Sequence, residues 1–145
     1  MIAELTGKYR FLSNFWSCII EMDGDVYPSV ENAYQAAKCA NVDDNYDDRR
    51  KFLHIKASEA KRLGKIVKMR PDWDEERLDV MYRLVRRKFQ EPSLKLMLLA
   101  TGNETIEEGN WWGDTFWGTV NGVGENHLGV ILMRVREELR DSPKS

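Results

Sequence analysis

The sequence predicts an α+β fold: one predominantly helical domain spanning residues 1–145, with a few short β-strands. Three observations carry this expectation. Apolar residues recur at helical spacing through several long stretches. Extended runs flanked by turn residues are short and confined to the regions near residues 18–27 and 105–120. Strands and helices do not alternate as they do around a parallel sheet, which argues against Rossmann and (β/α)8 architectures. With 145 residues, 42% of them hydrophobic, the chain can bury a core without disulfides or metals.

Taken in order, Arg10 to Trp16 is rich in aromatics without a clean period and reads as a buried loop or short extended piece. Cys18 to Met22 alternates weakly, Asp23-Gly24 is a hairpin signal, and Val26-Tyr27 resumes an extended run. Tyr27 to Lys38 opens as a helix: Val30, Ala33, Tyr34 and Ala37 form an apolar stripe, while Glu31, Gln35 and Lys38 share another face. Asn41 to Tyr46 is polar and turn-like. Asp47 to Ile55 suits a short helix with Phe52 and Ile55 inward and Asp48, Arg49 and Arg50 outward. Ser58 is placed to cap a helix to about Leu63, ended by Gly64. Lys65 to Met69 reads as extended. Asp72 and Glu75 have capping-box spacing before a long helix to about Gln90. Its stripe is Leu78, Met81, Tyr82, Val85 and Phe89, with Asp79 and Arg83 as a surface pair. Pro92 opens a helix over Ser93 to Ala100. Thr105 to Glu108 suits a short strand, and Asn110 to Asn126 has no helical period. A last helix, about Asn126 to Arg140, buries Leu128, Ile131, Leu132, Val135 and Leu139. Asp141 to Ser145 is a short polar tail.

The composition narrows the function classes. A formal charge of -2, from 22 basic and 24 acidic residues, gives no electrostatic case for general nucleic-acid binding. Two cysteines, Cys18 and Cys39, are too few for a disulfide scaffold, and Met1-Ile2-Ala3-Glu4 lacks the features of a secretory leader; the expectation is a cytoplasmic protein without a membrane segment. There is no P-loop, and Gly118 to Gly124 misses the dinucleotide fingerprint. His54 and His127 stand apart from any metal-ligand spacing, so no metal is expected.

Two stretches can carry chemistry. Trp111-Trp112-Gly113-Asp114-Thr115-Phe116-Trp117-Gly118 concentrates three of the five tryptophans beside an acid and two glycines. Such rings serve equally to pack a core or to stack on a ligand, and glycine lets backbone come close to one. Glu31, at a helix N-terminus, either offsets the helix dipole or acts as an ionised carboxylate in a site; Lys38 is either solvated or part of that site. The Arg49-Arg50 and Arg86-Arg87 pairs could meet phosphate, but the favoured reading of each is a surface pair on a charged helix face. Gly122 and Gly124 offer backbone N–H groups as a small anion nest.

Phe11-Leu12-Ser13-Asn14-Phe15, then Tyr27 through Lys38, resembles the N-terminal signature of the YbiA-like, or NADAR, family. Ala57 to Gly64, Arg70-Pro71-Asp72-Trp73-Asp74, Leu98 to Gly102, Phe116-Trp117-Gly118 and Asn126-His127-Leu128-Gly129 extend the resemblance over nearly the whole chain. Asn32 stands where relatives often have His, and His127 departs from Asn-Arg-Leu-Gly. The resemblance implies a YbiA-like fold and an N-glycosidase without cofactor. The substrate it implies first is a riboflavin-pathway ribosylamino-pyrimidine phosphate, cleaved to ribose 5-phosphate. Removal of ADP-ribose from guanine in DNA, with nucleic acid as a modified substrate, and a non-catalytic ADP-ribose or NAD-binding module are the alternatives. Carried onto this chain, it implies catalytic roles for Glu31, Asp114 and Lys38, the last by way of an opened-sugar imine. Trp117 would stack on base or sugar, with Asn14, Gln35, Gly118 and Asn126 completing the substrate contacts. Oligomeric state is left open.

Overall fold

The structure, a computed structural model, describes residues 1–40 and 48–141. It is α+β and predominantly helical, with a two-stranded sheet and, among the described residues, five α-helices and two 3-10 helices. The expected turn at Asn41 to Tyr46, the start of the expected helix at Asp47 and the end of the tail lie outside the described residues. The chain packs as two compact units, Asn14–Lys88 and Met1–Ser13 with Phe89–Ser145.

In the first of these, β1 (Ile20–Met22) and β2 (Asp25–Tyr27) pair antiparallel, with Ile20 opposite Tyr27 and Met22 opposite Asp25. The connecting Asp23 and Gly24 take φ of 51° and 85°, as a two-residue turn that matches strand twist requires. The hairpin leads to α1 (Val30–Lys38). Ser29 caps it, its Oγ accepting from Asn32 N at 3.0 Å, and every residue from Val30 to Ala37 is buried. α1 is the centre of its unit. It packs against α2 (Ala57–Leu63), α3 (Trp73–Lys88), the 3-10 helix Asp48–Phe52 and the hairpin. Ala33, Ala36 and Ala37 permit the close approach, and Tyr34 meets the Trp73 ring at 5.0 Å.

Several expectations here are corrected. α2 begins before Ser58 and is flanked by Lys56, with no side-chain cap. Asp72 does not cap α3, because Arg70 takes both its carboxylate oxygens at 2.6 and 2.8 Å. The buried stripe of α3 is Trp73, Met81, Leu84, Val85 and Lys88, so Leu78 is exposed and Tyr82 only half-buried. Phe52 is buried as expected, but Ile55 is half-exposed, and Asp48 and Arg49 are half-buried rather than fully outward. Lys65 to Met69 forms no strand; Met69 makes one isolated bridge to Cys39. The Asp79–Arg83 pair forms at 2.8 Å.

In the other unit, Gly7–Leu12 is a 3-10 helix, where a loop or extended piece was expected from Arg10. α4 (Pro92–Leu99) starts at Pro92, with Glu91 accepting from the N–H of Ser93 and Leu94. It packs against α5 (His127–Asp141), which buries Leu128, Ile131, Leu132, Val135 and Leu139 as expected. The guanidinium of Arg136 donates to Thr101 Oγ1 at 2.9 Å, tying α5 to the end of α4. Thr105 to Glu108 is not a full strand: Ile106 bridges Ile2, and Gly109 bridges Thr119.

Asn126 locks this unit. Its φ is 53°, its Oδ1 accepts from Glu108 N, and its Nδ2 donates to Ile106 O, both at 2.9 Å. Gly129 lets α5 run so close that a Cβ there would sit 2.2 Å from Ile106 O. Replacing Asn126 with alanine orphans a backbone donor and an acceptor and leaves a left-handed residue without its amide. The expected cost is about 2–4 kcal/mol of stability, read as a lower midpoint in urea denaturation.

Candidate active site

The α1 face carrying Glu31, Gln35 and Lys38 is not a solvated helix surface. Glu31 and Gln35 are each only 8% exposed, and Lys38 is half-buried. Backbone geometry sets the start of the face: Glu31 N donates to Asn14 O at 3.0 Å. One turn on, Gln35 Nε2 donates to Glu31 Oε1 at 2.9 Å, fixing the carboxylate plane. Two turns on, Lys38 Nζ donates to Gly64 O at 2.6 Å. Burial pushes the Lys38 amine below the ordinary lysine range, while Glu31 and Cys39 pull it back up. An ionisable acid, an amide and an amine are thus held in order along one helix, in a setting with little water.

Two buried amide oxygens at this face lack a partner among the described residues: Gln35 Oε1 and Asn14 Oδ1. Gln35 Oε1 is pressed against the end of α2, where a Cβ on Gly64 would lie 1.9 Å from it. Asn14 is 9% exposed, and its Nδ2 makes only a 3.5 Å contact to Met81 Sδ. Unpaired buried acceptors cost free energy in isolation and are resolved when a ligand donates to them.

Asn32 has a different task. It is fully buried, and its Nδ2 donates to Phe52 O at 2.8 Å and Ile55 O at 2.9 Å. It fastens α1 to the segment behind it and does not share the face of Glu31.

Lys88 went unmarked in the sequence. It is 2% exposed, and burial pushes its amine down to about 7, opposed by Coulombic attraction from Cys18 in its thiolate form. Its spacing from Met81, Leu84 and Val85 puts it on the apolar stripe of α3 and was the available signal. Between about pH 7 and the ordinary value of 10.5, the unfolded chain carries a proton that the folded protein lacks. Stability therefore rises with pH through that window, and the penalty is greatest below it. Relative to Lys88→Met, the wild type is expected to gain about 1–2 kcal/mol between pH 7 and 9, measured by urea denaturation. A pH-independent difference would contradict a neutral buried amine.

The other expected site residues lie in the second unit. Asn110 clamps Asp114: its Oδ1 accepts from Asp114 N at 3.0 Å, and its Nδ2 donates to Asp114 O at 2.8 Å. Asp114 Oδ1 in turn accepts from Phe116 N at 3.0 Å and Trp117 N at 2.9 Å. Leu128 N donates to Trp117 O, so Trp117 is held from both sides. Its half-buried ring stands edge-on to Phe116 at 4.8 Å, and Phe116 meets His127 at 4.6 Å. Gly118 is required because a Cβ would sit 2.0 Å from Glu108 O. A cavity of about 590 Å³ opens beside this loop, lined by Glu4, Glu107, Asn110, Trp111, Trp112 and Asn121 among others. Trp111, at 87% exposed, meets Trp112 edge-on at 5.7 Å. Carboxylates and aromatic rings suit a base bearing amino groups and disfavour a phosphate there. Glu31, Gln35, Lys38 and Asn14 are thus gathered within one unit, and Asp114, Trp117, Gly118 and Asn126 within the other.

The family model for the NADAR domain matches residues 3–140. The chain is 42% identical over 142 residues to the riboflavin biosynthesis protein VVA0006 of Vibrio vulnificus (strain YJ016), covering 92% of this chain but 36% of that protein. It is 34% identical over 136 residues to the N-glycosidase YbiA of Shigella flexneri serotype 5b (strain 8401), covering 90% of this chain and 82% of that one. The NMR structure of Escherichia coli YbiA superposes with a TM-score of 0.79 at 30% identity, covering 97% of this chain and 87% of that chain. Among the described residues, no helix is long and apolar enough to cross a membrane.

Proposed function

Because the chain belongs to the NADAR domain family, we propose that it acts as an N-glycosidase hydrolysing an N-ribosyl bond. The substrate is a ribosylamino-pyrimidine phosphate of riboflavin biosynthesis, and the products are the free aminopyrimidine and ribose 5-phosphate. The observation that carries this reading is the burial of Glu31 on α1, with Gln35 holding its carboxylate.

Cleaving an N-ribosyl bond builds positive charge on the anomeric carbon and ring oxygen. A carboxylate fixed in a water-poor setting stabilises that charge strongly, because it need not reorganise. Glu31 is assigned this role, either directly or by taking a proton from the attacking water. The unpaired Asn14 oxygen is assigned to accept from a ribose hydroxyl. Lys38, with its lowered basicity, is the amine available for an opened-sugar imine. In the other unit, Asp114 orients the Phe116–Trp117 loop through the Trp117 N–H. Gly118 and Asn126 shape that loop. The names of the Shigella and Vibrio relatives support the reaction class and the pathway. No cofactor or metal enters the scheme.

A product assay tests the reading. Purified protein is incubated separately with a ribosylamino-pyrimidine phosphate, NAD and ADP-ribosyl-guanine DNA, and the products are separated by liquid chromatography and mass spectrometry. Release of ribose 5-phosphate from the first is expected. Release of ADP-ribose from the DNA, or binding of ADP-ribose without any cleavage, would replace this reading with another.

A further inference from the structure

Asn14 links the first turn of α1 to α3. Its backbone oxygen accepts from Glu31 N at 3.0 Å, which holds its main chain beside the start of α1. Its side chain, 9% exposed, reaches the other way: Nδ2 donates to Met81 Sδ at 3.5 Å. Met81 is 1% exposed and belongs to the buried stripe of α3 with Trp73, Leu84 and Val85. Both residues lie in the same compact unit.

A carboxamide has two ends of similar shape and opposite chemistry, one donating and one accepting. Its terminal torsion is two-fold, so a buried amide keeps one orientation only if a neighbour tells the ends apart. The thioether of Met81 does so. Its sulfur accepts weakly and donates nothing. The NH2 end is therefore favoured toward α3, and Oδ1 is turned away from it. Oδ1 has no hydrogen-bond partner among the described residues, and it is the oxygen assigned above to a ribose hydroxyl. A half-turn of the amide would set Oδ1 against sulfur and offer the sugar a donor in place of an acceptor.

We propose that Met81 is a positioning residue: by accepting from Asn14 Nδ2, it holds the carboxamide with Oδ1 toward the bound N-riboside. The orientation is a property of the free protein, while its use in binding rests on the N-glycosidase reading. Substrate meets an acceptor that is already aimed, so no fraction of the protein is lost to the reversed conformer. Leucine at position 81 would fill a similar volume but carries no acceptor, and the two ends of the amide would no longer be distinguished.

NMR of the isotope-labelled full chain tests the orientation without substrate. A nuclear Overhauser contact is expected between the Asn14 side-chain NH2 protons and the Met81 methyl group. In Met81→Leu, Tm is expected to stay within about 4 °C of wild type, while the Asn14 NH2 signals move and broaden as both orientations become populated. Kinetics on the ribosylamino-pyrimidine phosphate are expected to show KM raised about three- to tenfold, with kcat within about twofold of wild type. In an Asn14→Ala background, Met81→Leu is expected to leave KM unchanged, because no amide remains to orient. A Met81 that only packs the core would give the same change in both backgrounds. Absence of the Overhauser contact in wild type, an unchanged KM in Met81→Leu, or an equal KM change in both backgrounds would overturn the inference. A wild type that shows the contact but neither binds nor cleaves the N-riboside would overturn the proposed reaction instead, with the orientation of Asn14 retained.

Discussion

Glu31→Gln is expected to lower kcat on the N-riboside substrate by about 10²–10³-fold while leaving KM within a few-fold of wild type. The substitution keeps the shape of the side chain and an oxygen to accept from Gln35 Nε2, which now sits 2.9 Å from Glu31 Oε1. What it removes is the negative charge that the proposed scheme sets against the ribosyl carbon as that carbon becomes positive. Because that charge develops in the transition state, the loss falls on kcat rather than on ground-state binding. Thermal unfolding should change little, which separates lost chemistry from lost folding. Wild-type turnover by a folded Glu31→Gln protein would remove α1 from the mechanism.

Gly64→Ala should damage both stability and activity, although the residue touches no substrate in the proposed scheme. Gly64 adopts ordinary right-handed geometry with φ of -61°, so the backbone accepts alanine. The collision is with a side chain: the new Cβ would lie 1.9 Å from Gln35 Oε1 and 2.4 Å from Gln35 Cδ. Gln35 is buried and must swing away, breaking its hydrogen bond to Glu31. The expected cost is about 1–3 kcal/mol of stability, with kcat/KM falling about 10–100-fold through misplacement of the carboxylate. Urea denaturation and steady-state kinetics read the two effects separately. Adding Gln35→Ala should recover most of the stability and none of the activity. Unaltered kcat/KM in Gly64→Ala would mean that the Gln35 contact does not matter to the reaction.

The hairpin, α1 and α5 were legible because their signals are local. Asp23-Gly24 demands its turn, Ser29 caps α1 through its own Oγ, and the α5 stripe repeats without interruption. Misreadings arose where a distant or competing partner decided the outcome. Asp72 has the residue type and spacing of a cap, yet Arg70, two residues away, holds both its oxygens. The sequence places the α3 stripe through Leu78, because Lys88 reads as polar; with Lys88 buried, the face turns toward Leu84 and leaves Leu78 outside. The 3-10 helix at Gly7–Leu12 has too short a period to stand out in a segment mixed in character.

The candidate site divides in the same way. The spacing of Glu31, Gln35 and Lys38 put them on one face, and that is how they stand. Spacing could not distinguish a solvated polar face from a buried one, since both give the same pattern. The difference comes from Gly64, which closes on Gln35 and accepts from Lys38 although it lies 26 residues from that lysine. Asn126 illustrates the opposite limit. Its amide, expected to meet substrate, is engaged at both ends by the backbone at Ile106 and Glu108, a duty that no local pattern announces.

In the proposed scheme, the N-riboside binds at the polar face of α1. Two-dimensional NMR of Glu31→Gln protein, titrated with an intact ribosylamino-pyrimidine phosphate, measures this directly, because the slowed enzyme preserves its substrate. Saturable shifts are expected in the backbone amides of residue 31, Gln35 and Lys38, in the Gln35 and Asn14 side-chain amides, and in Gly64. Saturable binding that leaves all of these signals in place would contradict it.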